Sequence, residues 1–214
     1  MKKSTLLGLG LIFATTGFTA LSSVDAFAHG YVEQPASRGY KGSLEKDSNW
    51  NAAFEKYGLV INEPQSLEAP KGFPSAGPAD GRIASANGAV GDFVLDKQTD
   101  SMWKKSTIST GSNTFKWTFT AAHSTAKWHY YMTKNGWNPN KPISRNELQL
   151  IGEVNYGGKT PPTSITNTVN VPSDRLGYHV ILAVWDVADT NNAFYNVIDV
   201  NVQNRNVLTD LEIK

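Results

Sequence analysis

The side chains best suited to metal chemistry in this sequence are four histidines, at positions 29, 123, 129 and 179, and there is no cysteine. A site for a soft or borderline metal must therefore be built from these imidazoles and from carboxylates. The sequence contains no HExxH or other short zinc motif. The chemistry consequently depends on how the fold brings distant histidines together.

His29 differs from the other histidines because it follows a segment typical of a secretory signal peptide. Two early lysines precede an uncharged apolar run over residues 5–21, and the AFA at residues 26–28 fits the small-x-small cleavage rule. Cleavage after it would make His29 the first residue of the mature protein. The α-amine and ring Nδ1 of His29 could then chelate one metal together, and one further imidazole would complete a three-nitrogen set that favours Cu(II). His29 alone does not establish such a site.

Composition and charge limit the classes of protein to be considered. The chain has 20 Lys and Arg side chains against 19 Asp and Glu, and the signal segment holds two of those lysines and one aspartate. A net charge near zero argues against nucleic acid or an anionic membrane surface as a partner. We predict a secreted, extracellular protein with a signal peptide at residues 1–28, one domain at 29–202 and a C-terminal tail at 203–214.

The second half of the chain has the patterns of β-strands. Polar and apolar residues alternate in TFKWTFT (114–120) and NVIDVNV (196–202), which predicts half-buried strands. KWHYYMT (127–133) also alternates, whereas HVILAVWDV (179–187) is continuously apolar and predicts a strand covered on both faces. Turns rich in Gly, Pro and Asn separate these runs. The pattern predicts a mainly β fold, an antiparallel β-sandwich.

The first half is different, because residues 33–110, here called the excursion, show little strand periodicity. A short helix is predicted at residues 49–57, with Ser48 as its N-cap and Gly58 as its end. Irregular segments of this length inside a compact domain are usually functional.

Four blocks of sequence closely resemble the chitin-active bacterial lytic polysaccharide monooxygenases, formerly classed as chitin-binding proteins. The blocks cover nearly all of residues 29–202 in the family's order. They are HGYVEQPASR (29–38), EPQSLEAPKGFPSAGPADGRIASA (63–86), FKWTFTAAHSTAKWHYYMTKNGWNPNKP (115–142) and DRLGYHVILAVWDVADTNNAFYNVIDVNV (174–202). The resemblance implies a fibronectin- or immunoglobulin-like antiparallel β-sandwich with a long irregular loop region that carries short helices.

The resemblance also implies one copper ion per chain, held by the amine and ring of an N-terminal histidine and by a second histidine ring. His29 and His123 match these two metal ligands. Three further positions match residues close to the copper: Phe194 beside one axial position, Ala121 crowding the other, and Glu68 as a nearby acid. Contacts to the substrate are implied for Glu63, Asp189 and Asn192.

One position of the implied substrate surface departs from the family. Asn62 stands where an exposed aromatic residue is common, so a stacking contact with the sugar is placed in doubt. Among the other candidates, His129 is expected to be a surface or substrate-side histidine and His179 a core histidine. Trp117, Trp128 and Trp185 are expected in the core.

The implied function is oxidative cleavage of crystalline chitin at C1 by a monomer that uses an external electron donor and O2 or H2O2. Two alternatives come from other classes. A non-catalytic chitin-binding or adhesion protein would need the polar surface but no copper. A secreted copper carrier would need the copper ligands but no broad surface, and the EPQSLEAP stretch (63–70) argues against it.

Overall fold

A computed structural model describes residues 28–205 as two β-sheets with the excursion packed on one of them. The predicted signal segment, apart from Ala28, and residues 206–214 of the predicted tail lie outside the described residues. The strands are β1 (His29–Gln34), β2 (Glu68–Pro70), β3 (Ser106–Ser109), β4 (Gly111–Ala121), β5 (Thr125–Thr133), β6 (Leu148–Lys159), β7 (Ser164–Val171), β8 (Gly177–Val187) and β9 (Asn192–Gln203). The helices are α1 (Arg38–Lys46) and α2 (Trp50–Tyr57), and short 3-10 turns occur at Gly58–Ile61, Val94–Asp96 and Arg145–Glu147.

The two sheets confirm the predicted β-sandwich. One sheet has the order β1-β4-β7, and the other has the order β2-β9-β8-β5-β6, with antiparallel pairing along both. The short strand β3 is an exception, because it pairs with β9 in parallel. Strands β1 and β9 thus lie in different sheets.

The core between the sheets is aromatic. Trp117, Trp128 and Trp185 are fully buried there, as predicted from their strand patterns. A second apolar cluster lies on the other face of the six-stranded sheet, where the excursion covers it. This second layer explains why the sequence of β8 is continuously apolar. It also buries both faces of β9 along residues 193–200, so the prediction of a half-buried strand was wrong there.

The excursion contains more regular structure than its sequence predicts. The predicted helix is confirmed as α2, which ends at Gly58 with φ of 76°. Its N-cap is Asn49 rather than Ser48, because the Asn49 side chain accepts a hydrogen bond from the Ala52 N–H at 3.1 Å. The Ser48 hydroxyl instead donates to the Glu45 carbonyl at 2.8 Å, at the end of α1.

A buried arginine fastens the excursion to the six-stranded sheet. The Arg38 side chain is 2% exposed and binds Asp199 of β9 through two hydrogen bonds, of 2.9 and 2.7 Å. It also donates to the Leu95 carbonyl at 2.7 Å and to the Gln98 side chain at 2.8 Å. Its guanidinium lies 4.3 Å from the centre of the Trp103 ring. The start of α1 is therefore attached to the sheet and to the rest of the excursion at once.

Removal of this arginine is expected to be costly, because Asp199 would be left charged in the interior. The substitution Arg38→Met should lower the free energy of unfolding by about 3–5 kcal/mol, measured by denaturant titration. Arg82→Met is the matched control, since Arg82 is 49% exposed and lies 3.7 Å from Asp96; its loss should stay below about 1 kcal/mol. Equal losses in the two variants would contradict this account of the Arg38–Asp199 pair.

Candidate functional site

The pairing of β1 with β4 brings the first two candidate residues to one end of the sandwich. His29 and Ala121 are Cα partners in this antiparallel pair, which places their Cα atoms about 4.5–5.5 Å apart. His123 follows Ala121 by two residues, in the link to β5. Two histidines far apart in the sequence therefore lie at the same end of the three-stranded sheet.

Hydrogen bonds on both sides hold the strand that carries His29. The Gly30 N–H donates to the Gln65 carbonyl of the excursion at 3.1 Å. The Val32 N–H donates to the side chain of Asn196, a fully buried residue of β9, at 3.2 Å. Position 30 also requires glycine, since a Cβ atom there would lie 2.6 Å from the Phe119 ring. The strand is thus fixed between the excursion and the second sheet.

His123 is oriented by a carboxylate from the loop between β8 and β9. Its Nδ1 lies 2.8 Å from Asp189 Oδ1, and the ring itself is only 14% exposed. Because a carboxylate can only accept, the proton of the neutral imidazole sits on Nδ1 and Nε2 presents a lone pair. The loop is anchored close by, where the Ala188 N–H donates to the Ser124 carbonyl at 2.7 Å. Asp189 therefore selects the tautomer of His123 that can bind a metal through Nε2.

Phe194, in the six-stranded sheet, lies close to His29, in the three-stranded sheet. Their ring centres are 6.4 Å apart, and Phe194 is fully buried while it stacks on Trp185 with ring centres at 4.9 Å. Strand β2 pairs Glu68 directly with Phe194 and Pro70 with Asn192. The structure thus places Glu68 directly across the strand pair from Phe194, whose ring lies near that of His29.

The remaining candidates border this group. Ala121, Glu68 and Asn192 are half-buried, whereas Asn62, Glu63 and Asp189 are exposed. Asn62 and Glu63 end the 3-10 turn that follows α2, and the nearby Gln65 contacts Gly30 as described above. The excursion therefore carries its predicted acidic residues to the edge of the strand that holds His29.

The ligand atoms available at this end of the sandwich can be compared with those that copper binds. Between residues 28 and 205 there is no group of three or more His, Cys, Asp or Glu side chains placed to hold a metal ion. A site at this end must then combine the two imidazoles with another donor, and the main-chain nitrogen of His29 is the predicted one. Here that nitrogen belongs to the peptide bond with Ala28, and cleavage after Ala28 would convert it to an amine. Two imidazoles and an amine suit a copper ion.

Two histidines outside this group are both buried. His179 is 3% exposed with Nδ1 at 2.9 Å from the Thr133 hydroxyl, which confirms the core assignment, and burial lowers its pKa. His129 is 1% exposed, so the expectation of a surface or substrate-side histidine was wrong. The excursion covers this face of β5, where Phe73 packs edge-on against Tyr131. No pattern in the sequence of β5 indicates that the excursion covers this face.

Sequence reasoning missed Asn196 and Gln65, which position β1, and Trp185 as the support of Phe194. An asparagine inside the otherwise apolar strand β9 was the available signal for Asn196, because a buried amide must find a partner. Among residues 28–205, no helix is long and apolar enough to cross a bilayer.

A β-sandwich with two histidines at one end has the architecture of a candidate metal-binding domain. Comparison with known proteins makes the assignment specific. Residues 29–200 match the model of a family described as "Lytic polysaccharide mono-oxygenase, cellulose-degrading". The chain belongs to the lytic polysaccharide mono-oxygenase family.

Two relatives illustrate the similarity in sequence. The chain is 45% identical to a lytic chitin monooxygenase of Enterococcus faecalis, over 95% of this chain and 100% of the relative. It is 48% identical to GlcNAc-binding protein A of Shewanella oneidensis, over 94% of this chain. In the latter case the chain spans only 41% of the relative's length.

Solved structures agree with this family. The CBM33 protein of Bacillus amyloliquefaciens, determined in complex with Cu(I), is 62% identical, with a TM-score of 0.80 over 82% of this chain and 100% of that one. The catalytic domain of an LPMO from Listeria monocytogenes is 45% identical, with a TM-score of 0.73 over 82% of this chain and 100% of that domain.

Proposed function

We propose that this protein is a secreted, copper-dependent lytic polysaccharide monooxygenase that cleaves crystalline chitin by oxidation at C1. The observation that carries the proposal is the placement of His29 and His123 at one end of the sandwich, with Asp189 on the Nδ1 of His123. The names of the relatives support chitin, since one is a lytic chitin monooxygenase and another a GlcNAc-binding protein. The Cu(I) complex of the Bacillus relative supports copper as the metal.

The protein's own residues would form the copper site after cleavage at Ala28. His29 would supply its amine and Nδ1, and His123 would supply Nε2, so that one ion is held by three nitrogens. Copper bound there would supply the one-electron chemistry by which a reductant and O2 or H2O2 oxidise a C–H bond. Asp189 keeps the proton of His123 on Nδ1 and so keeps Nε2 available as a ligand. Phe194 offers no hydroxyl, and Ala121 offers only a methyl group, so neither would add a ligand.

The surroundings would bind the substrate and control access. Glu63, Asp189 and Asn192, together with Asn62, would make hydrogen bonds to a chitin chain on a crystal surface. Glu68 would act as a polar neighbour of the metal through its position beside Phe194. A surface of this kind suits a crystalline substrate, whose chains cannot enter a deep cleft. Oxidation at C1 would leave a lactone, which water opens to an aldonic acid.

The test is the analysis of products released from chitin. The mature protein, loaded with copper and given a reductant, should release oligosaccharides with aldonic acid ends from β-chitin, detected by mass spectrometry. Reactions without reductant should release none. A parallel reaction on cellulose addresses the printed description of the family; oxidised products from cellulose alone would overturn chitin as the substrate.

Two other outcomes would overturn the enzymatic proposal. Tight binding to chitin without oxidised products would identify a binding or adhesion protein. Copper binding without affinity for either polysaccharide would identify a copper carrier.

A further inference from the structure

Two Asn-Gly dipeptides occur in the sequence, at residues 87–88 and 135–136. An Asn-Gly dipeptide is chemically labile, because the glycine nitrogen can attack the side-chain amide carbon of the asparagine and glycine has no Cβ to obstruct the approach. Both asparagines are exposed. The two dipeptides therefore offer the same chemistry to solvent, and the structure around each of them decides which one can react.

The glycine nitrogen of the first dipeptide is held in place. The Gly88 N–H donates to the carbonyl and to the hydroxyl of Ser85, at 3.0 Å each, and Ser85 is 1% exposed. Gly88 also lies against the Phe93 ring, since a Cβ atom at this position would be 2.6 Å from it. The side-chain oxygen of Asn87 accepts a hydrogen bond from the Ala79 N–H at 2.9 Å. Attack by the Gly88 nitrogen would therefore break two hydrogen bonds beside a packed ring.

The second dipeptide lies in an open turn that follows β5. The Trp137 N–H donates to the Lys134 carbonyl at 3.3 Å, which closes a β-turn, and Gly136 has φ of 76°. Within residues 28–205 the Gly136 N–H makes no hydrogen bond. Apart from the chain neighbours of Gly136, no described heavy atom lies within 4 Å of the place that a Cβ would occupy. The Gly136 nitrogen can therefore turn toward the Asn135 side chain without breaking a contact of its own.

One hydrogen bond joins the Asn135 side chain to the connection between β7 and β8. Its amide donates to Asp174 Oδ2 at 3.0 Å, and Asp174 Oδ1 lies 3.5 Å from Arg175 Nε. Arg175 is buried and donates to the Thr133 carbonyl of β5 at 3.0 Å. Asp174 thus lies between the Asn135 amide and the arginine that fastens this connection to β5. Conversion of the amide to a carboxylate would remove the donor and place two like charges side by side.

We propose that Asn135 is a site of spontaneous deamidation, selected by the open turn at Gly136, and that Asn87 stays intact in the folded protein. The Gly136 nitrogen forms a bond to Cγ of Asn135. The Cγ–Nδ2 bond breaks, and the leaving ammonia takes up the proton of the Gly136 N–H. Water then opens the cyclic imide at either carbonyl and leaves aspartate or isoaspartate with one oxygen atom from solvent. The reaction needs only water, so the proposal is independent of copper and chitin.

The modified residue would lie far from the candidate copper ligands. His123 precedes β5 and Asn135 follows it, so the nine residues of this strand separate the two positions by about 30 Å. Deamidation is therefore expected to change the charge and the stability of the domain at one end and to leave the two histidines at the other end in place.

The first experiment incubates the mature protein in a mildly alkaline buffer and follows both dipeptides by peptide mapping and mass spectrometry. The peptide with Asn135 should be converted at least about tenfold faster than the peptide with Asn87, the factor that the two hydrogen bonds of the Gly88 N–H support. The product should contain isoaspartate, and it should carry ¹⁸O when the buffer is made in water labelled with ¹⁸O. In denaturant, where the turns are lost, the two dipeptides should react at similar rates.

Two variants check the route. Gly136→Ala should slow the conversion, because a methyl group obstructs the attack, and Asn135→Gln should stay intact over the same period, because its longer side chain would have to close a larger ring. An Asn135 peptide that stays unchanged in the wild type, or equal rates for the two dipeptides in the folded protein, would overturn the proposal. A product without isoaspartate would contradict the cyclic imide.

The second experiment measures the consequence for stability with the variant Asn135→Asp. Its carboxylate would face Asp174, so the Tm at neutral pH should fall by about 1–3 °C, as expected for one exposed pair of charges. The double variant Asn135→Asp, Asp174→Asn again sets one amide opposite one carboxylate and should recover the wild-type Tm. A single variant as stable as the wild type, or a double variant that recovers nothing, would contradict the role given to Asp174.

Discussion

Replacing His123 with alanine is expected to abolish both copper binding and the oxidation of chitin. The variant loses one of two imidazoles at the site, and the structure shows no third side chain among residues 28–205 to replace it. We expect copper affinity and product formation to fall by more than about a hundredfold, because removing a group that merely orients a metal ligand already costs about 10–100-fold. Calorimetry with copper and mass spectrometry of the products measure the two effects.

The control for this variant is Thr168→Ala, an exposed position half-way along β7, an edge strand of the three-stranded sheet. It should bind copper and oxidise chitin as the wild type does. Retention of tight copper binding in His123→Ala would show that the metal is held elsewhere. Retention of oxidised products would contradict the assigned role of His123 directly.

A mature protein that keeps Ala28 before His29 is expected to be almost inactive. The main-chain nitrogen of His29 would remain an amide, so the His29 ring and the His123 ring would be the only nitrogens offered to the ion by these two residues. Loss of one donor of three should weaken copper binding by at least about a hundredfold, by the same reasoning as for His123. Copper titration and product analysis on the extended and the cleaved protein provide the measurement.

The matched control is an extension that a specific protease removes to leave His29 first. Cleavage should restore copper affinity and product formation to the same preparation. Full activity before cleavage would contradict the participation of the α-amine. The extension changes neither the fold nor the contact between His123 and Asp189. The comparison therefore tests the α-amine alone.

The strands of the second half could be predicted because their signals are local. Alternation in β4 and the continuous apolar run in β8 each report the burial of their own faces. Helix α1 could not be found in this way, since the residues on its buried face are Arg38, Gly39, Lys41 and Gly42. Two glycines and two charged side chains give no apolar periodicity, and their burial becomes understandable only with Asp199 in place.

The candidate site likewise has a part that could be predicted from the sequence and a part that could not. His29 and His123 could be proposed from the residue types and from the family resemblance. The contact between His123 and Asp189 depends on the loop after β8, and the support of β1 by Asn196 depends on packing between sheets. The burial of His129 depends on the excursion, which lies over β5 from a distant part of the chain. Such contacts between remote segments leave no periodic signature in any one of them.

The division of the site between two sheets has a consequence for its cooperativity. His29 lies in the three-stranded sheet, Phe194 lies in the six-stranded sheet, and the bond from Val32 to Asn196 crosses between them. No single sheet can hold the two rings in contact by itself, so any opening of the aromatic interface between the sheets disassembles the site. We therefore expect His29 and Phe194, the two candidate residues in contact across the sheets, to separate only when the interface between the sheets opens.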